Sequence, residues 1–380
     1  MNWSLVFIGL FYLAIILIII KFRKKFQIQA KIIALYKTKL GLKFMDKIAK
    51  KYPKTLHVLS YIGIYVGYIG LILISFMLIK NFFDLLFVPG AQSIISPVIP
   101  GVKIPKSVYV PFWYGIISIF IVATIHEFSH GVIARLHKVK VKSSGIVFFG
   151  PLIGAFVEPD EKQLSKLPVK KQLSILAAGP FSNILTAGII FLILFYAIMP
   201  GLTNVMDHSL VIHDVEGGLP AELAGITPGE TILELNGLPV SDKSEFVSLL
   251  QEYPPNKEIT LKTDRNTYTI MPGVKNEKPY IGVLFSSIKP KIQEKFGFGL
   301  TLLFYFFEFL TWLFMLSLGI GLANLLPLGP VDGGRIMKIT IDKFIKNKKK
   351  AIKTFSLVTL ICVFLLIFSL FFPFVKDLIF

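Results

Sequence analysis

The sequence predicts an α-helical polytopic membrane protein of about six transmembrane helices, with a small re-entrant β-hairpin and an inserted α+β domain. Three observations carry that expectation. Of 380 residues, 54% are hydrophobic and only 17% charged, and the mean hydropathy is +0.69, too apolar for a water-soluble domain. Apolar runs near the ~20 residues that a helix needs to cross a bilayer recur along the chain. The basic residues, which give a net charge of +18, gather in blocks beside those runs. Cytoplasmic loops account for such blocks, so the charge calls for no nucleic-acid partner. The single cysteine, Cys362, excludes an intramolecular disulfide and a cysteine-rich zinc module.

The first span is Asn2 to Ile20, which lacks a basic leader and an obvious small-residue cleavage site and so reads as an uncleaved helix. From Lys21 to His57 the chain carries twelve Lys or Arg and one acid, Asp46. This loop is placed in the cytoplasm and the N-terminus outside. Tyr61 to Val88 is the second span, with a break expected near Lys80 and Asn81. Residues 1–106 thus form an N-terminal helical pair with its basic loop.

Residues 107–200 hold the core. Val110 to Ile125 is uncharged throughout and runs into His126–Glu127–Phe128–Ser129–His130. At positions i and i+4 of a helix, His126 and His130 share a face and can offer two imidazole nitrogens to one metal ion. Glu127, beside the first, is placed to act as a base toward water. Ionisable groups at membrane depth are costly unless they are paired or functional, which favours a metal site over two unrelated histidines. The apolar part of Ser143 to Lys162 is too short to cross as a helix. Gly145, Gly150, Pro151 and Gly154 disfavour helix there, and the intervening Val, Ile and Phe suit a strand hairpin at membrane depth, packed against protein. The fourth span is Gln172 to Met199, with Gly179, Pro180 and Asn183 near its inner end.

Residues 205–287 change character. Charges return among short β-rich runs (LVIHDV, TILEL, EITLKT, TYTIM, YIGVLF), with short helices from Pro220 and Lys243. Residues 298–380 supply the fifth span, Thr301 to Leu326, a basic stretch from Arg335 to Lys353, and the sixth span, Thr354 to Phe372. Every basic block then falls on one side. The termini and the 205–287 domain lie outside, and the site lies toward the cytoplasm in a multi-pass cell-membrane protein. Arg135 and Arg335 are expected close to it. Glu308, midway along the fifth span, has gating, proton handling or pairing with Lys80 as its readings.

A catalytic zinc usually has three protein ligands and an open position. The topology sends His208 and His213 to the other side of the membrane. His57 lies at the membrane edge, and His137 two turns beyond His130. Among carboxylates, Asp332 arrives at the depth of the histidine pair, whereas Glu158 and Asp160 lie on a loop that suits solvent. Asp332 also fits a plain turn before Gly333–Gly334.

HEFSH, GPFSN (Gly179 to Asn183) and NLLPLGPVDGG (Asn324 to Gly334) together resemble the site-2 protease family of intramembrane zinc metalloproteases. The resemblance implies one zinc per chain, held by His126, His130 and Asp332, with Glu127 as general base. It places Asn324 where the scissile carbonyl is positioned or its oxyanion stabilised. It also implies membrane-anchored substrates cut within or beside a transmembrane helix during regulated intramembrane proteolysis. The hairpin around Gly145, Gly150 and Gly154 could present a free edge to an unwound substrate segment. For Asn183, orienting a polar group near the site and helix-to-helix hydrogen bonding are both open. The order LPA (Leu219 to Ala221), AGI (Ala224 to Ile226), PGE (Pro228 to Glu230) and LNG (Leu235 to Gly237) resembles an inserted PDZ domain, which implies a peptide ligand. Two other classes fit parts of the pattern: a divalent-metal transporter and a membrane-tethered PDZ scaffold. A transporter should carry polar ligands at several depths or internal repeats, whereas these metal-type residues gather at one end.

Overall fold

The computed structural model describes residues 3–29, 33–88, 91–102, 104, 108–149, 152–200, 210–275, 278–285 and 292–379. It divides into two compact units, Met1–Leu194 with Glu308–Phe380, and Phe195–Phe307.

The first unit is built on apolar helices. These are α1 (Trp3–Lys21), α3 (Pro53–Phe87), α4 (Phe112–Leu136), α6 (Val169–Leu192), the part of α9 (Ile292–Ala323) from Glu308 on, and α11 (Lys348–Ile379). Among the described residues, five helices are long and apolar enough to cross a membrane. The expected first span is a shorter apolar helix, Val6–Lys21, by the same measure. Prolines mark several starts, with Pro53 in the first turn of α3 and Pro111 and Pro168 just before α4 and α6, where a missing N–H costs nothing.

The expected break near Lys80 does not occur, since α3 continues unbroken for 35 residues. Its polar residues are satisfied without one. Lys80 pairs with Asp84 one turn on, and buried Asn81 donates to the Gln92 carbonyl. That leaves no pairing of Lys80 with Glu308, which accepts a hydrogen bond from Tyr114 instead.

The basic segment after α1 is not a plain loop. It contains β1 (Phe26–Gln29), β2 (Ile33–Thr38) and the amphipathic helix α2 (Leu42–Lys51). The hairpin residues form β3 (Val141–Phe149) and β4 (Leu152–Pro159), and all four strands make one antiparallel sheet in the order β1-β2-β3-β4. Ile33 pairs with Phe149 and Thr38 with Ser144 across the β2–β3 seam. One edge of the hairpin is therefore covered, and among the described residues β4 has no strand paired on its other side. Gly145 belongs to that seam, because a Cβ there would strike the Tyr36 carbonyl. Gly150 lies outside the described residues. β4 packs along α4, and α2 buries Leu42, Met45 and Ala49 against the same region. The short α5 (Glu161–Leu164) follows, capped by Asp160, whose side chain accepts from the Gln163 amide.

The second unit holds a small β-rich core. Its main sheet runs β12-β5-β6-β8-β9, from β5 (Leu210–Val215), β6 (Thr231–Leu235), β8 (Ile259–Thr263), β9 (Thr267–Ile270) and β12 (Val283–Phe285), and β7 (Leu238–Pro239) folds back on β6. Between β6 and β7, Asn236 and Gly237 both take positive φ (50° and 77°), the turn that this pair of residues suits. Helices α7 (Pro220–Leu223) and α8 (Lys243–Glu252) sit between strands, and α8 is capped by Asp242 and Glu245. Ile212, Ile232, Leu235, Phe246, Ile259, Leu261 and Ile270 form its buried core. The run YIGVLF is not one strand. Its tyrosine ends β11 (Lys278–Tyr280), paired with β10 (Gly273–Lys275), and Gly282 at φ 85° separates it from β12.

Candidate metal centre

Three elements of the first unit build the site. Helix α4 carries His126, Glu127 and His130, with both histidines buried. The chain leaves α9 at Ala323, turns through Pro327 and Pro330, and enters α10 (Asp332–Phe344) at Asp332. Gly333 and Gly334 make this turn possible. The Gly333 amide donates to the Asn324 carbonyl at 2.7 Å, and a Cβ on Gly334 would overlap the Leu328 carbonyl. The glycines thus press the first turn of α10 onto the preceding loop, which aims Asp332 at α4.

The donor atoms converge. His126 Nε2 and His130 Nε2 each lie 3.1 Å from Asp332 Oδ2, and 3.2 Å from one another. A tetrahedral ion with bonds of about 2.0–2.1 Å has ligand-to-ligand edges of about 3.3 Å. The triangle therefore fits a small divalent metal with its fourth position free, and two neutral imidazoles with one carboxylate are a suitable donor set. Burial pushes the Asp332 carboxyl up, but His130 and His126, where they are protonated instead of ligating, outweigh it and hold the carboxyl well below the usual carboxylate range.

Helix α6 backs this triangle. His130 Nδ1 meets the Ile175 carbonyl at 2.7 Å, and His126 Nδ1 meets the Asn183 side-chain amide at 3.1 Å. Between them stands Gly179, where a Cβ would lie 2.5 Å from His126 Nε2 and closer still to His130 Nε2. The sequence singled out Asn183 but gave Ile175 and Gly179 no part in the site. Their four-residue spacing, Ile175–Gly179–Asn183, was the available signal for one helical face.

Glu127 is not among the converging ligand atoms. Its Oε2 accepts the Val157 amide of β4 at 3.0 Å, and its side chain faces a cavity of about 250 Å³. His126, His130, Val157, Asn324, Asp332 and Arg335 share that lining. Asn324 reaches the cavity while its Nδ2 donates to the Ile320 carbonyl at 3.0 Å, so one amide hydrogen is committed to the last turn of α9. Arg335 pairs with Glu161 at 2.8 Å beside the cavity. Arg135, expected there, is elsewhere, paired with Asp46 and bonded to the Val141 carbonyl. The other titratable candidates have separate partners. Glu158 joins Lys37 and Ser143, which hold its carboxyl below the ordinary value, and His137 joins Ser174. Gly154 packs beside Val147 and near Ala123 of α4.

Apolar helices of membrane length thus bring a buried two-histidine, one-carboxylate triangle beside the Glu127 carboxylate, an arrangement that suits a membrane metallopeptidase. The chain belongs to Peptidase family M50, whose pattern matches residues 114–369. It is 28% identical over 330 residues to an uncharacterised protein of Methanocaldococcus jannaschii, covering 84% of this chain and 80% of that one. It is 24% identical to the membrane-bound transcription factor site-2 protease homolog of Arabidopsis thaliana, over 53% of this chain and 39% of the plant protein. It is 23% identical to the regulator of sigma-W protease RasP of Bacillus subtilis, over 56% and 61% respectively. Among solved structures, the PDZ domain of an SdrC-like protein from Listeria monocytogenes overlaps 20% of this chain and 87% of its own length at 17% identity and TM-score 0.19, a likeness too slight to define a fold.

Proposed function

We propose that this protein is an intramembrane zinc endopeptidase that cuts membrane-anchored proteins within or beside a transmembrane helix, in regulated intramembrane proteolysis. The observation that carries the reading is the 3.1–3.2 Å triangle of His126, His130 and Asp332 beside the cavity-facing carboxylate of Glu127. The names of two relatives, a site-2 protease homolog and a sigma-factor regulator protease, support it.

The three ligands would hold one zinc, which when bound supplies Lewis-acid polarisation of water and of the scissile carbonyl. Glu127 takes the proton from the attacking water and returns it to the leaving amine. The uncommitted hydrogen of the Asn324 amide turns toward the developing oxyanion. The open edge of β4 receives the substrate as an added strand. Val157 points its N–H away from β3, so by the alternation of an antiparallel ladder Ala155 and Ile153 do the same. A transmembrane substrate must first unwind, since its carbonyls are otherwise engaged within the helix. The blocks of Lys and Arg favour a site toward the cytoplasm, with both termini and the β-rich domain of residues 205–287 outside. That domain, read as PDZ-like, would bind an extended peptide and select substrates.

The test pairs metal analysis of purified protein with cleavage of single-span reporters. The wild type should hold one zinc and cleave. Glu127→Gln should keep the zinc and lose about 10²–10⁴-fold in rate. Asp332→Asn should lose zinc and cleavage together. A Glu127→Gln variant that cleaves at the wild-type rate ends the proposal.

A further inference from the structure

We propose that Asn183 is a positioning residue whose side-chain oxygen accepts the Nδ1–H of His126 and so fixes the tautomer that turns Nε2 to the metal. This rests on the metallopeptidase reading above. The contact is 3.1 Å between the Asn183 amide and His126 Nδ1, and both residues are buried. An imidazole that ligates through Nε2 must carry its proton on Nδ1, and Nδ1 then needs an acceptor. Of the two amide atoms only Oδ1 can accept. With the amide nitrogen facing His126, Oδ1 is buried without a partner, and His126 would have to carry its proton on Nε2, inside the ligand triangle. Amide orientation is a matter of assignment, and ligation through Nε2 selects the one with Oδ1 toward the ring.

The second histidine is served in the same way from the same helix. His130 Nδ1 lies 2.7 Å from the Ile175 carbonyl, two turns before Asn183. Helix α6 thus orients both ligands, one through its backbone and one through a side chain. Asn183 is itself held from behind. The Ser317 hydroxyl of α9 donates to the Asn183 carbonyl at 2.8 Å, and Gly321 of the same helix lets α9 approach, with a Cβ there falling 3.1 Å from the Asn183 Cβ. A residue placed only for packing would need no such orientation toward a ligand ring.

The experiment compares Asn183→Leu and Asn183→Asp in the full chain in detergent. Zinc affinity is read by chelator competition, and site geometry by the visible spectrum of the cobalt(II)-loaded protein. Asn183→Leu keeps the branched shape and the number of heavy atoms, with somewhat more bulk, and removes the acceptor. It should bind zinc about 10–100-fold more weakly and alter the cobalt spectrum. Asn183→Asp keeps an acceptor and should bind zinc at least as tightly as the wild type, although packing alone would rank a buried carboxylate as the worse change. If Asn183→Leu fails to fold, Asn183→Ser, polar but too short to reach His126, makes the same comparison. Wild-type affinity in the variants without the acceptor overturns the proposal, as does an Asp variant as weak as Leu. A wild-type protein that binds no zinc would instead sink the metallopeptidase reading, so the two failures are distinct.

Discussion

Gly179→Ala is the sharpest perturbation that the site offers, because it adds one methyl group and removes nothing. The new carbon would lie 2.5 Å from His126 Nε2, 2.7 Å from His126 Cδ2 and closer still to His130 Nε2. Non-bonded heavy atoms rest at about 3.5 Å or more, so at least three contacts are short by about 1 Å. Neither ring can swing away freely, since each is bonded through Nδ1 to α6 itself, at Ile175 and Asn183. The relief available is a shift of α6 or a rotation of both rings, and either one opens a triangle whose edges are 3.1–3.2 Å. Overpacking of this size costs about 1–3 kcal/mol in a close-packed interior. At 1.4 kcal/mol per tenfold, that is a loss in zinc affinity of about 5–140-fold if the strain falls wholly on the metal-bound state. The assay is zinc competition with a chelator, with Gly188→Ala as the control. Gly188 lies on the same helix, and a Cβ there would meet nothing within 4 Å. The control should bind zinc like the wild type. Equal zinc affinity in Gly179→Ala, Gly188→Ala and wild type would refute the claim that α6 closes on the ligand nitrogens.

Other expectations follow from the same geometry. Gly334→Ala should abolish zinc binding while leaving the histidine pair intact, because its methyl overlaps the Leu328 carbonyl and displaces Asp332; metal analysis of the purified variant decides it. In the β-rich unit, Glu230 is 1% exposed and accepts from Thr227, Thr263 and Tyr268, so Glu230→Ala should destabilise that unit by about 2–5 kcal/mol, read as faster amide exchange over residues 210–275. Burial pushes the Glu230 carboxyl up, but the bonds from Thr263, Thr227 and Tyr268 outweigh it and hold it below its ordinary value. Its stabilisation is therefore present above the unfolded pKa of about 4.3 and is lost as pH falls below that, so the exchange difference between wild type and variant should shrink in acid. Arg335→Gln breaks an exposed pair with Glu161 and should change thermal stability by less than about 1 kcal/mol, while its effect on cleavage reports whether that pair governs entry to the cavity.

The helices and the three side chains that converge were legible because their signals are local or chemically rare. An uncharged run ending in two histidines four apart declares both a span and a metal face. Asp332 was reachable because the order of the spans brings it to the depth of the histidine pair, although the glycines after it fit a plain turn as well. The strands β1 and β2 were not legible. FQIQ and IALYKT are short and lie among lysines; FQIQ pairs with IALYKT, which in turn gains its other partner from β3, more than a hundred residues away. The break assigned near Lys80 failed for a related reason. A charge and an amide in an apolar helix read as an interruption until Asp84 and the Gln92 carbonyl supply their partners. Gly179 was visible as a helix-packing residue, but its part in the site depends on which neighbour α6 faces.

On the proposed reading, the position of Glu127 ties the general base to the edge offered to substrate. Its carboxylate accepts the Val157 amide at 3.0 Å, and Val157 belongs to the one hairpin strand whose outer edge is uncovered. A strand added to that edge would lie beside residues whose amide groups alternate inward and outward every second residue. Whichever substrate residue comes opposite Val157 meets a position whose N–H is already taken by the base. Pairing should therefore begin toward Ala155 and Ile153, leaving the segment beyond Val157 unpaired next to Glu127 and the ligand triangle. An unpaired extended carbonyl is the form a peptidase must attack. If Glu127 is the base, the bond that fixes it also ends such a ladder and would set the register in which a substrate enters.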